Sequence, residues 1–148
     1  VDLRRISVVL MITTDLERIG DLAVGIAERA VVLARPPFVP IPDRIEAMTS
    51  RTLRMLRTSI DSFVNADTGS AARVIRSDDE VDRDNDDIIR DLVDEMKQSP
   101  ELVEPALSLF SAVRHLERIA DHATNIAEDV IYLVNGEIVR HHPEAIRA

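Results

Sequence analysis

The residues best placed to do chemistry are carboxylates spaced four apart. Glu17 and Asp21 form one such pair, Glu117 and Asp121 a second, and Asp78 and Asp82 a third. Positions i and i+4 share one face of an α-helix, and two like charges there destabilise it by about 0.2–0.5 kcal/mol. A bound multivalent cation removes that conflict. Oxygen-only ligation suits hard or borderline cations: Mg²⁺, Ca²⁺, Mn²⁺ or iron, with Zn²⁺ also able to take carboxylate oxygens. The chemistry these spacings point to is metal binding.

Two of the three pairs lie in a phrase that the chain repeats. Asp15 to Leu33 reads DLERIGDLAVGIAERAVVL, and His115 to Leu133 reads HLERIADHATNIAEDVIYL. The copies are offset by 100 positions and agree at ten of nineteen, including Glu17 with Glu117, Arg18 with Arg118, Asp21 with Asp121 and Glu28 with Glu128. Self-similarity at a fixed offset reports duplicated architecture.

The elements that must carry these residues are long helices. Apolar periodicity runs from Leu3 to about Ala34 and stops at Arg35-Pro36-Pro37, because proline cannot continue a helix. Phe38 to Pro42 reads as a crossover. A second helix spans Asp43 to about Ala66, and Asp67-Thr68-Gly69-Ser70 is a turn in which Thr68 or Ser70 is the expected cap. A third helix runs from about Ser70 to Gln98. Ser99-Pro100 signals the start of a fourth, which reaches about Val134 and stops at Asn135-Gly136. Residues 137–148 read as a tail, helical in part or frayed. No stretch alternates as a strand does. The expected fold class is all-α, an antiparallel helical bundle with short connections.

Heptad seams line up with the carboxylates. In the third helix the sequence suggests Ala71, Ile75, Asp78, Asp82, Asn85, Ile89, Leu92 and Met96. In the fourth it suggests Val103, Leu107, Phe110, Arg114, Glu117, Asp121, Asn125 and Glu128. In the first it suggests Leu3, Ser7, Leu10, Thr14, Glu17, Asp21 and Glu28. Carboxylates on a packing seam lose water and need compensation. If the third and fourth helices fold back at Ser99-Pro100, residues equidistant from the turn meet at one height: Asp78 with Asp121, Asp82 with Glu117, Asn85 with Arg114. Four carboxylates then converge. Asp78, Asp82, Glu117 and Asp121 are the expected ligands, Asn125 and Glu128 extend the set, and Asn85 stands behind it. Arg114 or Arg118 neutralising the seam without metal is the alternative. The partner of Glu17 and Asp21 would be a helix before Val1, so this pair is half a site that another segment or chain would complete.

Composition narrows the function. Net charge is −9, which argues against nucleic acid as a partner. There is no cysteine, so neither a disulfide nor a thiolate site exists, in keeping with a reducing cytoplasm. Apolar runs fall far short of a membrane span. Three Phe, one Tyr and no Trp leave Leu, Ile, Val, Ala and Met to build the core. His141-His142 are neighbours whose side chains diverge on a helix, and His115 and His122 read as surface or packing residues. No Glu-x-x-His pair accompanies either repeat, and no spacing supports a Ser-His-Asp set or a phosphate-cradling Gly loop. An enzyme is not expected. The sequence lacks an initiating Met and opens inside a helical pattern, which reads as a fragment.

The LERIGD and LERIAD phrases, with NIAEDVIYLVNGE downstream and RSDDEVDRDNDDIIRDL upstream, resemble the PhoU family of phosphate-transport accessory proteins. The resemblance covers the chain to about residue 140. It implies two tandem three-helix bundles, each able to carry a multinuclear metal cluster, most often iron, on Glu/Asp-x-x-x-Asp motifs. Residues 1–36 would be the last helix of a first repeat and residues 43–136 the second bundle. Gly25 stands where the second copy has Asn125. The resemblance further implies a non-enzymatic, cytoplasmic negative regulator of phosphate uptake and phosphate-starvation signalling. Its partners would be the transporter's ATPase subunit and a sensor histidine kinase. The cytoplasmic portion of a sodium–phosphate cotransporter and a carboxylate-bridged metalloenzyme are the alternatives. The first helix has an apolar face built for partners outside this sequence, so a homo-oligomer is expected.

Overall fold

The structure is a computed structural model that describes residues 2–136. The expected tail and His141-His142 lie outside the described residues. Four helices are present: α1 (Asp2–Leu33), α2 (Arg44–Asn65), α3 (Thr68–Gln98) and α4 (Val103–Asn135). None is long and apolar enough to cross a membrane.

The helix ends follow local chemistry. Ala66 takes a left-handed conformation (φ 52°) and closes α2. Asp67, rather than Thr68 or Ser70, caps α3: its carboxylate accepts the Ser70 backbone N–H at 3.0 Å. An anionic acceptor at a helix N-terminus also meets the positive end of the backbone dipole. Ser99 makes no side-chain cap. Its carbonyl instead accepts the Leu102 N–H at 2.9 Å, closing a 3-10 turn over Pro100–Leu102. That turn delays α4 to Val103, later than Ser99-Pro100 implies. Gly136 (φ 79°) ends α4 and donates its N–H to the Tyr132 carbonyl, a conformation that glycine adopts without a Cβ penalty.

Helices α2, α3 and α4 pack against one another as an antiparallel three-helix bundle, and α1 lies along α4. Helix α4 is central and is therefore buried on several faces. Its alanines Ala106, Ala120, Ala123 and Ala127 are fully buried, and small residues let neighbouring helices approach closely. Met48, Met55, Val81, Ile88 and Val113 fill the remaining core. Two buried hydroxyls on α2 are satisfied within the helix, Ser59 donating to the Leu56 carbonyl and Ser62 to the Ser59 carbonyl, whereas the buried Thr52 hydroxyl has no partner among the described residues.

The buried stripes are rotated from the expected seams. On α3 the stripe runs through Ala71, Val74, Val81, Asn85, Ile88 and Leu92. Val74 and Ile88 replace Ile75 and Ile89, a choice the sequence leaves degenerate. The observed rotation buries Val81 and leaves the Asp82 charge at the rim, the lower-energy arrangement for that pair. On α4, Val103 and Leu107 are exposed, while Leu109, Val113 and Leu116 turn inward. On α1 the buried residues are Val8, Ile12, Ile19 and Leu22, not Leu3, Leu10, Glu17 and Asp21. A second apolar stripe of α1, comprising Leu3, Ile6, Leu10, Val24 and Val31, stays exposed.

The repeat packs on itself. Both copies bury the equivalent Ile19 and Ile119 at the α1–α4 contact, where Leu22 of the first copy and Ile126 of the second join them and Ile26 packs against the cluster. Asp15 Oδ1 lies 3.5 Å from Asn125 Nδ2. The equivalent contact in the other sense brings His115 against Gly25, where a Cβ would stand 2.7 Å from the ring Nε2. Glycine at position 25 leaves room for the His115 ring in the position it takes here.

Candidate functional site

One turn before the middle of α3 and at the middle of α4, the bundle gathers carboxyls. Asp78 sits on the inner side of α3, half-buried, and Asp82 one turn on at the rim. Glu117 is half-buried on α4, and Asp121 follows at its outer edge. Burial pushes the Asp78 carboxyl up to about 6, and the charges of Asp82 and Asp121 add to the rise while the Thr124 hydroxyl opposes it. Desolvation also raises Asp82, with Asp121 as the strongest charge contribution. It raises Glu117, again with Asp121 beside it and with Arg114 opposing. Asp121 lies on the exposed edge, yet α3 and α4 remove enough water from its carboxyl to raise it too, against His122, Arg114 and Arg118. The four carboxyls therefore feel one another across the hairpin.

Two oxygens of this cluster, Asp78 Oδ1 and Glu117 Oε2, are buried without a hydrogen-bond partner among the described residues. Buried anionic oxygens left so are costly. Asn85 Oδ1 on the same α3 stripe is likewise unsatisfied. The other Glu117 oxygen accepts from Arg114 Nη1 at 3.1 Å, so one of the two expected neutralising arginines is engaged. As the side chains stand, no three carboxyl or imidazole groups among the described residues are grouped tightly enough to hold a metal ion. The chemistry of the donor set fits a hard cation or extra protons; its present rotamers favour Arg114.

The remaining expected ligands lie elsewhere. Glu17 and Asp21 are exposed on α1, away from the α1–α4 contact. Asn125 turns toward Asp15 across that contact. Glu128 is half-buried nearly two turns beyond Asp121. A polar pair absent from the expected set joins α1 to α4: His122 Nδ1 lies 2.7 Å from Asp15 Oδ1. The legible signal was the shared stripe 15, 19, 22, 26, which recurs as 115, 119, 122, 126.

Comparison with known proteins places this architecture. A PhoU domain profile matches residues 1–30 and 45–130. The chain belongs to the PhoU family. The phosphate-specific transport system accessory protein PhoU homolog of Xylella fastidiosa (strain 9a5c) is 37% identical over 136 residues, covering 92% of this chain and 58% of that protein. The PhoU homolog of Pseudomonas aeruginosa is 40% identical over 141 residues, covering 95% and 58%. The crystal structure of PhoU from Pseudomonas aeruginosa superposes with a TM-score of 0.89 at 39% identity, covering 92% of this chain and 66% of that one. The phosphate transport system regulatory protein PhoU from Streptococcus pneumoniae gives 0.85 at 28% identity, covering 93% and 65%. This PhoU-family chain thus spans under two thirds of the length of those relatives.

Proposed function

We propose that this chain is part of a regulator of phosphate uptake that restrains transport and phosphate-starvation signalling without turning over a substrate. The observation that carries the reading is its PhoU membership over nearly its whole described length. That membership joins a bundle that carries the α3–α4 carboxylate cluster described above. The regulated partners are the transporter's ATPase subunit and a sensor histidine kinase, and the protein works in the cytoplasm.

In this reading Asp78, Asp82, Glu117 and Asp121 hold a multivalent metal ion, iron foremost, with Mg²⁺, Mn²⁺, Ca²⁺ or Zn²⁺ as competitors. Support comes from the orphaned Asp78 and Glu117 oxygens and from the raised carboxyl pKa values. A bound cation supplies positive charge that lets the four carboxylates ionise together and ties α3 to α4. Asn125 and Glu128 then lie outside the ligand set. Helix α1 belongs to a first repeat. Its exposed stripe and the Glu17/Asp21 pair meet further helices, from a longer chain or from another copy in a homo-oligomer.

Complementation tests the function. The full-length gene is expressed in a bacterium lacking its own PhoU and carrying a phosphate-starvation reporter. Restored repression in high phosphate is the expected result. Continued derepression by a folded protein, or turnover of phosphate esters by the purified protein, would overturn the reading.

A further inference from the structure

Away from the acidic hairpin, α2 and α3 enclose a cleft of about 390 Å³ with the opposite electrostatic character. Arg51, Arg54 and Thr58 line it from α2, and Arg73, Ser77 and Glu80 from α3; Met55 and Val74 form an apolar floor. The chain as a whole carries −9, so three arginines around one recess are a local reversal of charge. They are not equally available. Arg51 is engaged by Glu80, at 2.9 Å, and by Asp84. Arg73 Nη2 donates to the Ser70 hydroxyl, at 2.6 Å, which passes its own proton to the Asp67 carboxylate, so Arg73 feels that charge through a relay and keeps its other N–H groups for a ligand. Arg54 and Arg73 make no ion pair among the described residues, and both lie exposed at the mouth.

We propose that this cleft binds a small phosphorylated molecule, with Arg54 and Arg73 on its phosphoryl oxygens. Guanidinium groups present forked N–H donors that match phosphoryl oxygens and stay charged at every physiological pH. One arginine from each helix places the two forks on opposite walls, so a phosphoryl group between them takes donors from both sides. The Thr58 hydroxyl adds a donor from α2, whereas the Ser77 proton is committed to the Arg73 carbonyl at 3.0 Å. Arg51, paired with Glu80 and Asp84, ties α2 to α3 beside the cleft. The volume falls within the range of small-molecule sites, and Met55 and Val74 offer apolar contact to an organic body behind the phosphoryl group. The ligand class is therefore a phosphate ester or anhydride of nucleotide size, or free phosphate. The site is separate from the carboxylate cluster and does not rest on the transport reading.

Calorimetric titration tests it, with ATP and inorganic phosphate as separate probes in metal-free buffer. The proteins are wild type, the Arg54→Ala/Arg73→Ala double variant, Arg54→Gln alone, and Arg90→Ala as a control outside the cleft. Saturable one-to-one binding of either probe is expected. It should weaken about tenfold or more in the double variant, by the loss of charge-assisted hydrogen bonds, and stay unchanged in Arg90→Ala. Tighter binding of ATP assigns an organic phosphate, and tighter binding of phosphate assigns the free ion. No binding of either probe to wild type, or binding that survives in both cleft variants, would overturn the assignment. Both substituted side chains are exposed, and the single variant provides a second reading if the double variant loses helicity.

Discussion

His122 Nδ1 stands 2.7 Å from Asp15 Oδ1, and this contact bridges the two copies of the repeat. It lies in the contact between α1 and α4, with the apolar Ile19, Leu22, Ile119 and Ile126 in the same contact and Asn125 Nδ2 at 3.5 Å from the same Asp15 oxygen. Both side chains are largely withdrawn from water, so removing one strands the other.

Asp15→Ala and His122→Ala should each destabilise the protein by about 1–3 kcal/mol, the range for a buried polar group left without its partner. The double variant should lose less than the sum of the two. Urea denaturation of the four proteins in a double-mutant cycle measures the coupling. Additive losses would show that the pair does not act together.

Gly25→Ala should destabilise by about 1–3 kcal/mol through overpacking, because the new Cβ meets the His115 ring. Adding His115→Ala should recover most of that loss. A thermal-melt comparison of the single and double variants checks it, and an unchanged melting temperature in Gly25→Ala would show that the ring moves aside freely.

How much of this was legible in the sequence is clearest from these contacts. Helix number, lengths and antiparallel order follow from apolar periodicity and from proline, which local chemistry dictates. The convergence of Asp78, Asp82, Glu117 and Asp121 in one electrostatic cluster follows from equal distances to the hairpin turn. The rotation of each helix does not follow. Val74-Ile75 and Ile88-Ile89 offer two seams of equal hydrophobicity, and only three-dimensional packing chooses between them. On α1 the sequence carries two apolar stripes, and the one containing Leu3, Leu10 and Glu17 is the one this chain leaves exposed. Asp67, Thr68 and Ser70 are all competent caps, and only the position at which the helical backbone begins selects Asp67. The cleft arginines do not stand out in the sequence, because which of them are held in direct ion pairs depends on packing, and spacing does not report that.

The metal-free protein should lose stability as pH rises from about 4 to about 6. Asp78 has its folded pKa raised from 3.8 to about 6. In that window the unfolded chain has released the proton while the folded chain retains it, so ionisation favours unfolding. Asp82, Glu117 and Asp121 shift in the same direction. Asp67, lowered by its contacts with Ser70, contributes the opposite slope at lower pH, so the comparison must be with a variant. Asp78→Asn should flatten the decline between pH 4 and 6 in urea denaturation. Identical slopes in the two proteins would contradict the assignment.

Arg114→Ala should raise the pKa of Glu117, Asp82 and Asp121 further, since Arg114 holds all three down. It also frees the Glu117 oxygen that Arg114 occupies. The variant should be less stable without metal and should bind a divalent cation more tightly than wild type. Manganese titration followed by paramagnetic relaxation reads the second effect. Weaker binding would mean that Arg114 organises the carboxylates instead of competing for them.

The central claim is that the α3–α4 carboxylates hold a metal ion, and elemental analysis of the purified protein beside Asp78→Ala/Asp121→Ala tests it most directly. The account predicts stoichiometric metal, with iron foremost, in the wild type and little in the variant, both proteins retaining their helicity. Metal-free wild type, after purification without chelator and reconstitution with iron, manganese and magnesium, would contradict it and leave Arg114 and protons as what neutralises the cluster.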